Sequence, residues 1–282
     1  MYTKNPCIDV FLTAGGLKGA YQYGFFKELY AIRPTVRINR IFGASVGSLN
    51  AAPILLRRMD ILDMYWSNLD GKHPFDQIMV PHYNRFLVQG KNYYTLKDNI
   101  WRVLRNGSIF TSLRIDEVEK FWWSLSNADM FAITERLNIV VYDRLMNAPV
   151  YCSISSNVHP VKRLEELCVY LNASTRFPGL VRMRGDRLLD GIFVGREDVK
   201  RHIRATRDHE DDMLLVLDTC SDLLISAEDS YCTVTFGPRV TKSKVMSFCA
   251  SEMDIDALID EGERDARRFD ILLSCTTNRF NE

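Results

Sequence analysis

Apolar positions along this chain switch between strand-like runs and helical spacing, and the switch points mark its elements. Ile8-Asp9-Val10-Phe11-Leu12 is an apolar run of strand length. It enters the turn Ala14-Gly15-Gly16-Leu17-Lys18-Gly19. Phe25, Leu29 and Ile32 then recur at helical spacing and predict a helix over Ala20–Ile32 with one core-facing stripe. Pro34 stops it. Arg40-Ile41-Phe42 predicts a second strand, and Gly43-Ala44-Ser45-Val46-Gly47 follows. A helix then runs through Leu49, Ala52, Leu55 and Leu56 to about Met59, with a kink expected at Pro53. This order sets two helix starts beside each other at one end of a sheet.

The pattern changes over residues 60–129. All four tryptophans fall there, Trp66, Trp101, Trp122 and Trp123, among many tyrosines and phenylalanines. Helical stretches are short and broken at Gly71, Pro74, Pro81, Gly90 and Gly107. An irregular, mostly helical insertion is expected, placed to cap the second turn or simply packed on the sheet through its aromatics. Strand signals resume at Leu137–Tyr142 and Val150–Ser153, and a helix is expected over Lys162–Asn172. Arg187-Leu188-Leu189 leads into Asp190-Gly191, an acid on a glycine turn. Met213–Asp218 and Cys232–Phe236 predict two further strands. Ile255, Leu258, Ile259, Gly262, Ala266, Phe269 and Leu273 share one face of a long helix over Asp254–Ser274. The expectation is one α/β domain over 1–282: three layers, α/β/α, with a largely parallel central sheet and the helical insertion.

Composition narrows the function. Lys plus Arg and Asp plus Glu are 36 each, so no bulk charge favours nucleic acid. The seven cysteines are scattered without C-x-x-C spacing, which supports neither a zinc site nor a disulfide framework. No apolar segment approaches the roughly 18 residues of a membrane span. Met1–Pro6 has no signal-peptide core. A soluble cytoplasmic protein is expected, one that touches membranes only at their surface.

The candidate chemistry lies at the two turns. A serine on a tight strand-to-helix turn has its hydroxyl exposed, and Gly43 and Gly47 give that turn room. Gly15, Gly16 and Gly19 let backbone N–H groups approach a ligand beside it. A nucleophile next to a nest of donors suits acyl transfer. The glycine turn is not a Walker A loop, because Gly19 follows Lys18, and it lacks the dinucleotide fingerprint. Of the histidines only His202 and His209 follow Asp190, without the loop signature of a catalytic base. Asp190 taken alone reads as a cap or turn acid. Lys18 reads equally as a contact for an anionic group or as a solvated helix-start residue. The basic run Arg182, Arg184, Arg187, Arg196, Lys200, Arg201, Arg204 and Arg207 is interleaved with acids, and a solvated, ion-paired face is expected.

Three stretches in order carry a resemblance. Leu12–Gly24, Gly43–Gly47 with Asn50-Ala51, and Ala173-Ser174 with Phe177-Pro178 and Asp190-Gly191 resemble the patatin-like phospholipases. Leu258–Gly262 is similar to that family's terminal helix. Ala14 stands where the family's first oxyanion glycine is usual, and Ile192 where a small residue is usual. The resemblance implies a lipid acyl hydrolase, phospholipase A-like, with Ser45 as nucleophile and Asp190 as general base. It places an oxyanion hole at the N–H groups of Gly15, Gly16 and Leu17, with Gly191 as the glycine of the acid turn. It implies no cofactor, and no calcium loop is visible. The implied partners are a phospholipid or other acyl-ester lipid and a transient membrane surface. A degenerate relative that only binds a lipid or partner, and a nucleotide-binding α/β protein, are the competing readings.

Overall fold

The computed structural model describes residues 7–67, 79–81, 110–113, 125–154, 156–157, 159–175, 187–206, 213–219, 226–228, 233–239 and 255–279. The strands are β1 (Cys7–Leu12), β2 (Arg37–Ala44), β3 (Met79–Pro81), β4 (Phe110–Leu113), β5 (Leu137–Asp143), β6 (Ala148–Ser153), β7 (Leu188–Leu189), β8 (Met213–Leu217), β9 (Ser226–Glu228) and β10 (Thr233–Phe236). The α-helices are α1 (Gly19–Ile32), α2 (Val46–Leu55), α3 (Met59–Ser67), α4 (Asn127–Ile133), α5 (Pro160–Ser174), α6 (Arg196–Ala205) and α7 (Ile255–Arg279).

The main sheet has the order β6-β5-β2-β1-β8-β10-β9, with β7 added to β5. Its centre, β5-β2-β1-β8-β10, is parallel. β6 and β7 pair antiparallel to β5, and β9 antiparallel to β10. Alternation along the strands sorts side chains to two faces. Ile8, Val10, Leu12, Ile41, Leu215 and Leu217 join α1, α2, α3, α5 and α7 in the larger core. Phe11, Phe42, Val140, Leu214 and Val216 meet Val199 and Ile203 of α6 on the other face. The architecture is therefore the expected three-layer α/β/α arrangement.

The thick side is organised by α1 against α7. Gly24 and Gly262 let the two backbones touch: a Cβ on Gly262 would stand 2.7 Å from the Phe25 nitrogen. Phe25 packs on Phe236 and Phe269 with ring centroids 5.7 and 5.8 Å apart. Truncating any of these rings should cost about 3–5 kcal/mol. α1 is buried almost all round as far as Phe26, so it has no single core stripe, and Ile32 is 41% exposed rather than core-facing. The helix after Ser45 also differs from expectation. Pro53 lies in its last turn; α2 stops at Leu55 and a separate α3 starts at Met59. The stop is a left-handed cap: Arg57 has φ 58°, and the Arg58 N–H donates back to the Pro53 carbonyl at 2.8 Å.

The expected insertion over 60–129 falls mostly outside the described residues. Within it, β3 and β4 pair antiparallel. Trp66 of α3 is buried in the larger core, so this one tryptophan packs the domain.

Candidate active site

Strand order brings Ser45 and Asp190 together. β2 pairs with β5 as far as Ala44 opposite Val140, and Ser45 follows at the turn. β6 occupies the other edge of β5 along its length to Asp143. The edge that β2 vacates is taken by β7, where Leu189 pairs with Tyr142. β7 thus comes in from the opposite direction along the line of β2, and Asp190 is the next residue. The Ser45 hydroxyl donates to Asp190 Oδ2 at 2.9 Å.

The elbow is strained and held. Ser45 has φ 52°, unusual for a residue with a Cβ, at a typical cost of about 1–3 kcal/mol. Its N–H donates to Ser174 Oγ at 3.0 Å, and that hydroxyl donates to the Val140 carbonyl at 2.7 Å. Its carbonyl accepts from the Ser48 N–H and hydroxyl, at 2.9 and 2.5 Å. Gly47 lies against the Leu12 carbonyl and Gly43 against the Gly47 carbonyl, where a Cβ would collide. Gly191 is equally close to the Val140 carbonyl, at 2.5 Å from a built Cβ.

Asp190 is 1% exposed. Its Oδ1 accepts from the Ile192 N–H at 2.8 Å. No cation pairs with it among the described residues. Burial pushes its pKa up to about 7, opposed only by the Ile192 N–H and the Ser45 hydroxyl.

The glycine turn follows β1, the strand beside β2. Gly16 has φ 55°. Gly15 is pressed on the Thr219 hydroxyl so closely that no Cβ fits. Thr219 donates to the Ala14 carbonyl at 2.5 Å, and its N–H donates to Thr13 Oγ1 at 2.8 Å. On the other side a buried chain of side chains fixes the turn. Gln22 Nε2 donates to the Thr13 carbonyl at 2.9 Å. Asn50 Nδ2 donates to Gln22 Oε1 at 3.1 Å and to the Gly19 carbonyl at 3.0 Å. Trp66 Nε1 donates to Asn50 Oδ1 at 3.1 Å. Gly19 itself abuts Val46, the residue after Ser45, where a Cβ would lie 2.5 Å from Cγ2. The N–H groups of Gly15, Gly16 and Leu17 therefore belong to a clamped helix start directly beside the elbow. Lys18 is 6% exposed, which removes the solvated reading of that side chain.

The family-model comparison decides what this arrangement belongs to: residues 10–196 match the model described as patatin-like phospholipase. The chain belongs to the patatin-like phospholipase family. The matched span holds the glycine turn, the elbow and the acid turn. No curated protein matches the sequence. Among solved structures, VipD from Legionella pneumophila is similar at 13% identity and TM-score 0.39, over 78% of this chain and 51% of that one. A chain of the ExoU–SpcU complex from the type III secretion system of Pseudomonas aeruginosa is similar at 14% identity and TM-score 0.37, over 93% and 51%. The patatin-like chain spans about half the length of each.

Sequence reasoning placed Ser174 in the family resemblance without a partner and missed Thr219 at this patatin-like site. Ser174 ends α5, and Thr219 lies two residues past β8. A small hydroxyl residue in such a place was the available signal. His202 lies flat against Tyr151, with ring centroids 3.7 Å apart, and burial and then Arg40 push its pKa down. His73, His82 and His209 lie outside the described residues, as do Phe177, Pro178, Arg182, Arg184 and Arg207. Arg187, Arg196, Lys200 and Arg201 pair with Asp143, Asp218, Glu197 and Asp198. Lys200 is nevertheless buried rather than solvated, and its amine reaches Glu197 one turn back on the same helix.

Proposed function

We propose that this protein is a serine lipid acyl hydrolase of phospholipase A type, acting through Ser45 and Asp190. The observation that carries the reading is the hydrogen bond from the Ser45 hydroxyl to a buried carboxylate that has no cation beside it among the described residues. An ordinary aspartate, with a pKa near 3.9, is a weak base at neutral pH. One raised to about 7 is half ionised there and holds a proton well enough to take it from an attacking alcohol.

Ser45 Oγ attacks the ester carbonyl carbon as its proton passes to Asp190. The carbonyl π pair moves to oxygen, and the N–H groups of Gly15, Gly16 and Leu17 receive that oxyanion. Each such donor is worth about 3–4 kcal/mol in comparable sites. The intermediate collapses and expels the alcohol, which takes the proton from Asp190. Water then attacks the acyl-serine, Asp190 accepts the water proton, and the fatty acid leaves as Ser45 regains its hydrogen. Lys18, drawn in at the helix start, would favour an anionic headgroup near the mouth.

The test is hydrolysis of a soluble chromogenic acyl ester and of phospholipid vesicles, with and without chelator. Activity is expected in both, insensitive to chelator, and lost in Ser45→Ala. Activity surviving in Ser45→Ala contradicts the assignment. Lipid binding without labelling by a fluorophosphonate would identify a binding-only relative instead.

A further inference from the structure

The turn after β5 stands out on the catalytic end of the sheet. Val140 is level with Ala44, so β5 runs three residues beyond the end of β2, about 10 Å at the rise of a strand. The turn 144–147 crowns that extension. At its tip Leu145 is 78% exposed and Met146 67%.

The tip has a fixed shape. Asp143 Oδ1 accepts from the N–H groups of Leu145 and Met146 at 2.9 and 3.1 Å. Arg187 pairs with the other oxygen of Asp143, and the Arg144 N–H donates to the Arg187 carbonyl at 3.0 Å. The one acid of the turn is thus neutralised from within, while Arg144 is exposed beside the two apolar side chains. The apolar surface also continues toward the acid turn. The Tyr142 hydroxyl bonds Asn147 in the same turn, and its ring lies 6.3 Å from that of Phe193. Phe193 and Ile192, both exposed, come directly after Asp190-Gly191.

Other exposed apolar side chains have different neighbours. Met64 lies four residues from Asp60 on α3 and Phe131 four residues from Glu135 at the end of α4, so each has an acid one turn away. Only at the β5 turn, among the described residues, do exposed apolar groups, unopposed positive charge and the catalytic end of the sheet coincide.

We propose that this turn is the lip by which the protein docks on an anionic phospholipid surface. Leu145 and Met146 enter the interface, Ile192 and Phe193 extend the apolar rim, and Arg144 meets the headgroups. Apolar insertion together with electrostatic attraction is the usual basis of reversible surface binding. The proposal rests on the lipid-hydrolase reading for its purpose, and its test separates the two.

Binding of the Ser45→Ala protein to sedimented vesicles is measured, using phosphatidylcholine alone and phosphatidylcholine with phosphatidylserine. Binding is expected to favour the anionic vesicles and to fall about tenfold or more when Leu145→Asp and Met146→Asp are added. In the Ser45 protein the same pair of substitutions should reduce vesicle hydrolysis and spare the soluble ester. To separate docking from folding, Met146→Trp is tested alone: the fluorescence it adds over that of the four native tryptophans should shift to the blue with vesicles and be quenched by brominated lipid. Unchanged vesicle binding in the Asp variant, or no quenching of the tryptophan, overturns the proposal. A shift from dimer to monomer with vesicle binding intact overturns it in favour of self-association. Vesicle binding that depends on the lip, in a protein that hydrolyses neither substrate, would leave the docking surface standing and sink the hydrolase reading alone.

Discussion

Two aspartates near the end of β5 have been given opposite environments. Asp143 ends β5 and pairs across to Leu188; Asp190 lies two residues further along the same antiparallel segment. Both are almost fully screened from contact with water. Asp143 stands at the sheet margin, where the Arg187 guanidinium and two backbone N–H groups hold its pKa below the usual carboxylate range. Among the described residues Asp190 faces a hydroxyl and one N–H, and burial carries its pKa up to about 7. Lost contact with water does not by itself decide what a carboxylate does. A neighbouring cation lowers the pKa of Asp143, while burial without one among the described residues raises that of Asp190.

The largest effect should come from removing the proposed base. Asp190→Asn is expected to lower the rate of ester hydrolysis by about 10²–10⁴-fold. In the wild type, kcat/KM should rise as Asp190 ionises, with a midpoint near pH 7, read from initial rates on a soluble ester. Asp143→Asn should leave that midpoint in place.

Stability should respond in the reverse sense. Asp190 has a folded pKa above its unfolded value, so the native state holds the extra proton. The fold therefore loses stability as pH rises from about 4 to 7 and stays lower above that. A shift of about three units corresponds to about 4 kcal/mol. Asp190→Asn removes that loss: its melting temperature should exceed wild type at pH 8, and the gain should vanish near pH 4. Asp143 has a depressed pKa, so its contribution is present above about pH 4 and is lost as pH falls through the folded value. Asp143→Asn should melt below wild type at pH 8 and converge with it in acid. Equal behaviour of the two variants in thermal melts would break the comparison.

A smaller effect is expected at Ser174. Alanine there leaves the Ser45 N–H without its acceptor at a strained turn. Denaturant titration should show a loss of about 1–3 kcal/mol, with a modest fall in rate.

The repeated strand–turn–helix pattern made the two adjacent helix starts legible, and so the place of Ser45 beside the glycine turn. Family resemblance pointed to Asp190, but periodicity gave no reason for it to meet Ser45. That reason is topological: the two-residue β7 fills the edge of β5 that β2 leaves free. A strand so short has no pattern of its own. Side-chain links between separate elements also hid the supports of the glycine turn. Thr13 meets Thr219, 206 positions away, and Gln22, Asn50 and Trp66 link three helices to the Thr13 and Gly19 carbonyls. α1 misled because a helix covered on several sides does not keep one stripe. Lys18 read equally as solvated or as an anion contact, because spacing does not say how a turn residue is covered; it is buried.

The most direct test is the pH dependence of fluorophosphonate labelling at Ser45, followed by mass spectrometry in wild type and Asp190→Asn. Labelling is predicted to rise through about pH 7 in the wild type and to be slow at every pH in the variant. Equally fast labelling of both proteins, or a wild-type rate flat from pH 5 to 9, would contradict Asp190 as the base of Ser45.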